Sequence, residues 1–185
     1  MVQLREKDLP EDQRLELALQ IKDAIDGRAI LMVSRSLDLA RACGSDGVHL
    51  PEDVPDFLEQ KGMLGGEFLL GRSVHSLETA VEAHRRGVDY LIAGTIFDTR
   101  SHPGVKAAGK AFLRQLTREV DIPVLAIGGV NVDNAGEVMG AGASGVAVIR
   151  AVLASDNPGE AARSLWKALS QRAEARPLAE PEEPY

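Results

Sequence analysis

Seven short runs of aliphatic residues recur along the chain, and each is followed by a stretch with apolar residues at helical spacing. The runs begin at Val2, Ala29, Gly47, Glu67, Asp89, Ile122 and Gly145. Because the apolar residues in most of these runs are consecutive, the runs predict strands that are buried on both faces. Strands of this kind that alternate with helices predict an α/β fold with a parallel sheet.

Residues typical of helix ends support this alternation. Gly27 follows an amphipathic stretch and predicts the end of the first helix. Ser76 predicts the start of a helix that ends at Gly87, and Asn157 followed by Pro158 predicts the start of a later one. The pattern therefore predicts strand and helix units along most of the chain.

The repeated units leave two architectures open, an open doubly wound sheet or a closed barrel of eight units. The first strand begins at Val2 with no preceding unit, so either one βα unit is missing or the sheet is open. We assign residues 1–173 to a single domain and residues 174–185, rich in proline and glutamate, to a disordered tail. A barrel without one strand has two unpaired edges, so we expect poor solubility or a homo-oligomer.

Composition restricts the classes of ligand. The chain has 21 Lys and Arg against 28 Asp and Glu, a formal net charge of −7, and 4% aromatic residues. This argues against nucleic-acid and membrane partners, and a phosphorylated substrate would need a local basic site. Cys43 has no second cysteine to pair with. No secretion leader and no apolar run of about 20 residues is found, so we expect a cytoplasmic protein.

Two glycines form the strongest local motif. Gly128 and Gly129 follow the sixth predicted strand, and the seventh is followed by Ile149 and Arg150. Glycines at the carboxyl end of a strand let backbone N–H groups approach an anion, and the last strand ends of a barrel often bind phosphate. Arg150 would add positive charge. The alternative is that the two glycines only turn the chain.

The first strand predicts a second anion site. In the segment VQLREK, alternation places Gln3, Arg5 and Lys7 on one side. An amide and two cations that converge at a strand end suit a phosphate or pyrophosphate. The alternative is a charged strand edge at the surface.

Three histidines lie at or just beyond the carboxyl ends of predicted strands, namely His49, His75 and His102. Barrel active sites are built at these ends, and histidine transfers protons near neutral pH. His102 lies in a long loop after the predicted strand at Asp89, a position typical of lids. For His49 and His75 a structural hydrogen bond is at least as good an interpretation, and we interpret His84 as a surface residue of a helix.

Glu52 and Asp53 follow the third predicted strand and form a candidate pair of magnesium ligands. An acidic helix start explains them equally well.

The motifs also occur in a familiar order. They are VQLREK, DGVHLPEDVP, GRSVHSLETA, DYLIAGTIFDT, IPVLAIGGVNVDN and GASGVAVIRAV. From Val2 to about Leu169 the chain resembles the thiamine phosphate synthase/TenI family. The resemblance implies a TIM (β/α)8-type barrel that acts on thiazole phosphate in thiamine biosynthesis. It also implies that the first βα unit is absent here, which leaves seven strands.

One branch of the family condenses hydroxymethylpyrimidine diphosphate with thiazole phosphate and uses Mg²⁺. For this branch the resemblance implies a pyrophosphate site at Gln3, Arg5 and Lys7 and a metal ligand at Asp53. It implies further substrate contacts at Ser73, Thr99, Ser101, Gly128, Gly129, Ile149 and Arg150. Two departures weaken this assignment. Ser34 and Arg35 stand where the synthase has an Asn–Asp pair, and His102 stands where it has a lysine.

The TenI branch is a thiazole tautomerase, which moves a proton and needs no metal or other cofactor. The segment GRSVHSLETA resembles this branch more closely, but Thr95 stands where the branch has its histidine. We hypothesise that His102, assisted by His75, replaces that base. The leading hypothesis is therefore a tautomerase, the alternative is a synthase, and a third hypothesis is a non-catalytic barrel that binds a thiamine precursor or regulates a partner.

Overall fold

The computed structural model describes residues 1–6, 8–54, 62, 68–99 and 104–173, without the side chains of 171–173. Its strands are β1 (Val2–Leu4), β2 (Leu31–Ser34), β3 (Gly47–Leu50), β4 (Leu69–Val74), β5 (Tyr90–Ala93), β6 (Val124–Ile127) and β7 (Gly145–Ala147). Its helices are α1 (Glu11–Ile25), α2 (Leu37–Cys43), α3 (Leu77–Arg85), α4 (Gly109–Glu119), α5 (Ala135–Gly140), α6 (Arg150–Leu153) and α7 (Pro158–Ala173). All seven predicted strands are confirmed.

The chain divides into two compact units. The first comprises Met1–Ala93 with Glu119–Pro123, and the second comprises Gly94–Arg118 and the chain from Val124 onward. In the first unit β1 to β5 are parallel and lie side by side in chain order. In the second unit β6 pairs in parallel with β7. Parallel strands alternating with helices confirm the predicted α/β class.

The core of the first unit is aliphatic, as the composition predicts. Every residue of β3 and β5 is buried, because helices cover one face of these strands while the other faces inward. Leu31, Met32 and Val33 of β2 are also fully enclosed. The second unit buries Leu113 and Leu116 of α4.

Two aspartate side chains accept backbone hydrogen bonds near the start of two strands in the first unit. The Oδ2 atom of Asp46 accepts the backbone N–H of Leu31 at 2.7 Å, and that of Asp89 accepts the N–H of Leu70 at 2.7 Å. Each aspartate directly precedes a strand, and it bonds the first residue (Leu31) or the second residue (Leu70) of the strand before it. These bonds satisfy backbone donors that the strand ladder leaves over.

The sequence predicts four helix boundaries, and both predicted starts are confirmed. Ser76 caps α3, where its Oγ accepts the N–H of Thr79 at 3.1 Å. Asn157 precedes α7, and its Oδ1 accepts the N–H of Glu160 at 3.1 Å. At both predicted ends a glycine with positive φ follows the C-cap residue: Gly27, with φ of 68°, follows Asp26, and Gly87, with φ of 77°, follows Arg86.

Two further predictions concern the C-terminal segment and the absence of a membrane-spanning helix. The predicted tail, residues 174–185, lies outside the described residues. Among the described helices none is both long enough and apolar enough to span a bilayer.

Candidate functional site

The carboxyl ends of the first unit's strands carry polar side chains that contact one another. Gln3 on β1 donates from Nε2 to the Oγ of Ser34 on β2 at 2.8 Å. His49 on β3 and Ser73 on β4 are hydrogen-bonded between Nε2 and Oγ at 2.9 Å. The parallel register places these residues at one edge of the sheet. We call Gln3, Ser34, Arg35, His49 and Ser73 the strand-end cluster.

Two predicted phosphate ligands adjoin this cluster in sequence. Arg5 is exposed just beyond β1, and its positive charge contributes to the low pKa of His49. Lys7 lies outside the described residues. Of the predicted amide and two cations, the structure describes Gln3 and Arg5 at the end of β1.

His49 is the buried centre of a hydrogen-bonded chain. Its side chain lies between Ser73 and Tyr90, and its Nδ1 is 3.1 Å from the Oη of Tyr90. Burial, followed by the charge of Arg5, lowers the pKa of His49 from 6.5 to about 4, and burial raises the pKa of Tyr90. Both groups are therefore neutral at pH 7. These hydrogen bonds hold the hydroxyl of Ser73 in one orientation. They support the interpretation of His49 as a residue with a structural hydrogen-bonding role.

Tyr90 had no predicted role, although a glycine within a predicted buried strand, Gly71, is a sequence signal for its position. Gly71 on β4 is its register partner. A Cβ atom at Gly71 would lie 2.1 Å from Cζ of Tyr90, so the tyrosine ring occupies the space that a side chain would fill. A glycine inside a buried strand often marks such a close approach.

His75 is held by Glu52 rather than by the strand-end cluster. Its Nδ1 donates to Oε2 of Glu52 at 2.5 Å, and its backbone N–H donates to Oε1 at 3.1 Å. Burial acts to raise the pKa of Glu52, but hydrogen bonds from Thr79 and His75 outweigh it and the pKa is lowered. The carboxylate therefore stays ionised and orients an imidazole that is open to solvent.

Arg35 and Asp53 form an ion pair beyond the ends of β2 and β3. Nη2 of Arg35 donates to Oδ1 of Asp53 at 3.0 Å and to Oδ2 at 3.2 Å. The backbone of Arg35 is left-handed, with φ of 68°, and its N–H donates to the carbonyl of His49 at 3.1 Å. Few non-glycine residues adopt this conformation.

These contacts decide whether magnesium fits here. Mg²⁺ takes oxygen ligands at about 2.1 Å in near-octahedral geometry. Both oxygens of Asp53 face Arg35, and both oxygens of Glu52 face His75. A dication on Asp53 about 4 Å from the guanidinium would be repelled by about 2 kcal/mol even at the dielectric constant of water. Within the described part of the chain, no three carboxylate, histidine or cysteine side chains are grouped to hold a metal. The donor set does not fit a magnesium site.

The glycine pair of the second unit has a packing role. Gly128 and Gly129 follow β6 with φ of 96° and 64°. A Cβ at Gly128 would lie 2.5 Å from Cγ2 of Thr95, and one at Gly129 would lie 2.5 Å from the carbonyl oxygen of Asp98. The carbonyl of Gly128 also accepts the N–H of Phe97 at 3.0 Å. The pair therefore turns the chain and admits a second backbone segment.

Asn131 and Asn134, which had no predicted role, stabilise the turn after the glycines through side-chain hydrogen bonds. Asn134 donates from Nδ2 to the carbonyl of Gly129 at 3.0 Å, and its Oδ1 accepts the N–H of Asn131 at 2.9 Å. Asparagine commonly supports turns through such side-chain bonds to backbone. The backbone shape at the predicted phosphate site thus depends on residues beyond the glycine pair.

The structure describes three further predicted residues of the second unit, namely Thr99, Ile149 and Arg150. Ile149 is exposed after β7 and Arg150 begins α6. Thr99 is the last described residue before residue 104. Ser101 and His102 lie outside the described residues, so the predicted proton transfer by His102 stays a prediction.

Comparison with a solved structure defines the class of protein. The structure of thiamine phosphate pyrophosphorylase from Pyrococcus furiosus superimposes with a TM-score of 0.83 at 36% identity, over 92% of this chain and 82% of that one. The fold and this similarity define a TIM-type enzyme of thiamine biosynthesis.

Sequence comparison then gives the family. The family model described as thiamine monophosphate synthase matches residues 1–152. The thiamine-phosphate synthase of Chloroflexus aurantiacus is 43% identical over 168 residues, which cover 89% of this chain and 77% of the relative. That of Pyrococcus furiosus is 37% identical over 172 residues, covering 92% and 82%. The chain belongs to the thiamine monophosphate synthase family, which confirms the resemblance.

Proposed function

We propose that this chain is a thiamine-phosphate synthase. In the reaction, the ring nitrogen of thiazole phosphate forms a bond to the methylene carbon of hydroxymethylpyrimidine diphosphate, the bond from that carbon to oxygen breaks, and pyrophosphate leaves. The observation that carries the proposal is the 43% identity over 168 residues with a relative named thiamine-phosphate synthase. The tautomerase hypothesis that the sequence motifs favoured receives no support from the names of these relatives.

The strand-end cluster supports a site for the diphosphate. A leaving pyrophosphate gains negative charge, so cations and N–H donors at its position stabilise the transition state. Arg5 is exposed at the end of β1 and offers a fork of donors that matches a phosphate. Gln3 is held by Ser34 beside it, which limits the orientations of its amide. Lys7 completes the proposed set.

Ser73 is proposed as a substrate contact. Its hydroxyl is fixed by the neutral imidazole of His49, which is itself bonded to Tyr90. A hydroxyl whose orientation is already fixed loses little conformational entropy when it binds a polar group. Gly128, Gly129, Ile149 and Arg150 are proposed to bind thiazole phosphate in the second unit, with Thr99 and Ser101 as further contacts.

Thiazole tautomerisation is the second candidate because it requires no metal, and the carboxylate of Asp53 faces Arg35. In that case His75, oriented by Glu52 and open to solvent, is proposed to transfer the proton together with His102.

Product analysis separates these candidates. The purified chain is incubated with a mixture of the thiazole carboxylate phosphate tautomer, thiazole phosphate and hydroxymethylpyrimidine diphosphate. One sample contains Mg²⁺ and a second contains EDTA. Thiamine phosphate in either buffer supports the proposal. Aromatised thiazole phosphate without a condensation product overturns it in favour of the tautomerase, and saturable binding with no product overturns both.

A variant at Arg5 tests the diphosphate site. Arg5→Gln removes an exposed charge, so the fold should be retained while kcat/KM for the diphosphate falls about tenfold or more. Arg85→Gln, an equal charge change on the exposed face of α3, is the matched control and should leave kcat/KM unchanged. Equal activity of the two variants would contradict the assignment of Arg5.

A further inference from the structure

The ion pair of Arg35 and Asp53 lies in the middle of the proposed diphosphate site. The first unit's sheet has the order β1, β2, β3, so the end of β2 lies between the ends of the other two strands. Arg35 follows β2 directly. It therefore stands between Gln3 on β1 and the acidic loop after β3, where a cation can contact both an anionic ligand and Asp53.

The backbone holds Arg35 at this point. Its N–H is bonded to the carbonyl of His49 at 3.1 Å, and the N–H of Ser36 is bonded to the carbonyl of Ser34 at 2.8 Å. These bonds enclose a left-handed residue with φ of 68°. A non-glycine residue in this conformation persists only where its surroundings impose it, and such residues concentrate at functional sites.

The pair is also accessible to a ligand. The side chains of Arg35 and Asp53 are 46% and 72% exposed. An exposed ion pair of this kind contributes little to folding stability. A guanidinium has five N–H donors, and the hydrogen bonds to Asp53 use Nη2 of Arg35. The remaining donor directions suit the oxygens of a phosphate group.

We infer that the guanidinium of Arg35 takes the place of a divalent cation beside Asp53, so that this chain binds pyrophosphate without magnesium. The inference rests on the proposed function for the identity of the anion, the leaving group of that reaction. It explains why the carboxylates after β3 are already paired with Arg35 and His75 and do not form a magnesium site.

Binding of inorganic pyrophosphate, measured by titration calorimetry in EDTA and in Mg²⁺, tests the inference. We expect the wild-type chain to bind with the same Kd in both buffers. Arg35→Asp should bind about tenfold or more weakly in EDTA, with recovery in Mg²⁺, because the new carboxylate joins Asp53 as a ligand. Arg35→Asn should lose affinity in both buffers, and the control Arg85→Asp should behave as wild type.

Aspartate and asparagine both tolerate left-handed backbone, so these variants should fold, which circular dichroism checks. A second readout is the paramagnetic resonance of Mn²⁺ as a probe of the metal alone. Arg35→Asp should bind Mn²⁺, whereas the wild type and Arg35→Asn should not. Wild-type binding of Mn²⁺ that is lost in Asp53→Asn, or pyrophosphate binding only in Mg²⁺, would overturn the inference.

The outcomes distinguish this inference from the proposed function. Thiamine phosphate formed only in Mg²⁺, with pyrophosphate bound only in Mg²⁺, would leave the synthase assignment intact and overturn the role of Arg35. Pyrophosphate bound in EDTA and lost in Arg35→Asn, with no condensation product in any buffer, would support the role of Arg35 and overturn the synthase assignment.

Discussion

Acidification should destabilise this chain through one buried imidazole. His49 is 4% exposed, and burial followed by the charge of Arg5 lowers its pKa from 6.5 to about 4. Between these two values the unfolded chain binds a proton on this histidine while the folded chain does not. The free energy of unfolding therefore falls as the pH drops from 6.5 to 4.

The size of the effect follows from the two pKa values. One pH unit corresponds to about 1.4 kcal/mol, so a pKa lowered from 6.5 to about 4 gives a loss of about 3 kcal/mol. This loss is absent above pH 6.5 and complete below pH 4. Glu52, with its lowered pKa, also loses stabilisation as the pH falls, so the contribution of His49 must be taken from a variant.

Urea unfolding of the wild type, His49→Gln and Ser73→Ala, followed by circular dichroism between pH 7 and pH 4, measures this contribution. His49→Gln should be less stable at pH 7 and should lose about 3 kcal/mol less than the wild type on acidification. Ser73→Ala removes the hydrogen bond at 2.9 Å but keeps the buried imidazole, so it should retain the wild-type pH dependence. Equal losses in the wild type and His49→Gln would refute the reasoning.

Two further substitutions test the packing around this site. Gly71→Ala places a methyl group 2.1 Å from Cζ of Tyr90, so we expect a loss of about 1–3 kcal/mol in thermal unfolding, part of which Tyr90→Leu should restore. A melting temperature equal to that of the wild type would contradict the contact. Ser76→Ala removes the cap on the N–H of Thr79 and should cost about 1 kcal/mol in urea unfolding, whereas Ser76→Asp should retain the stability. An unchanged midpoint in Ser76→Ala would show that this cap contributes nothing.

The elements could be predicted because their signals are local. The short apolar runs at Gly47–Leu50 and Tyr90–Ala93 indicated strands buried on both faces, and every residue of both strands is buried. The cap at Ser76 involves a residue three positions away. A sequence window of a few residues contains both partners of a helix cap and the apolar pattern of a strand.

The site could be predicted only in part. Alternation singled out Gln3 and the family resemblance singled out Ser73, and both lie at the carboxyl ends of the first unit's strands. The partners of the titratable groups were not predictable. His49 meets Tyr90 across 41 positions of the chain, and no local pattern relates these two residues.

The sequence by itself determined the strand and helix units, the family, and the strand ends at which polar side chains collect. Only the tertiary structure decided which charges neutralise each other. Asp53 reads in the sequence as a candidate metal ligand, yet its oxygens face Arg35, 18 positions earlier. Glu52 likewise orients His75 across 23 positions. Whether a carboxylate binds a metal or a side-chain cation depends on the nearest charge in space, and sheet order places that charge.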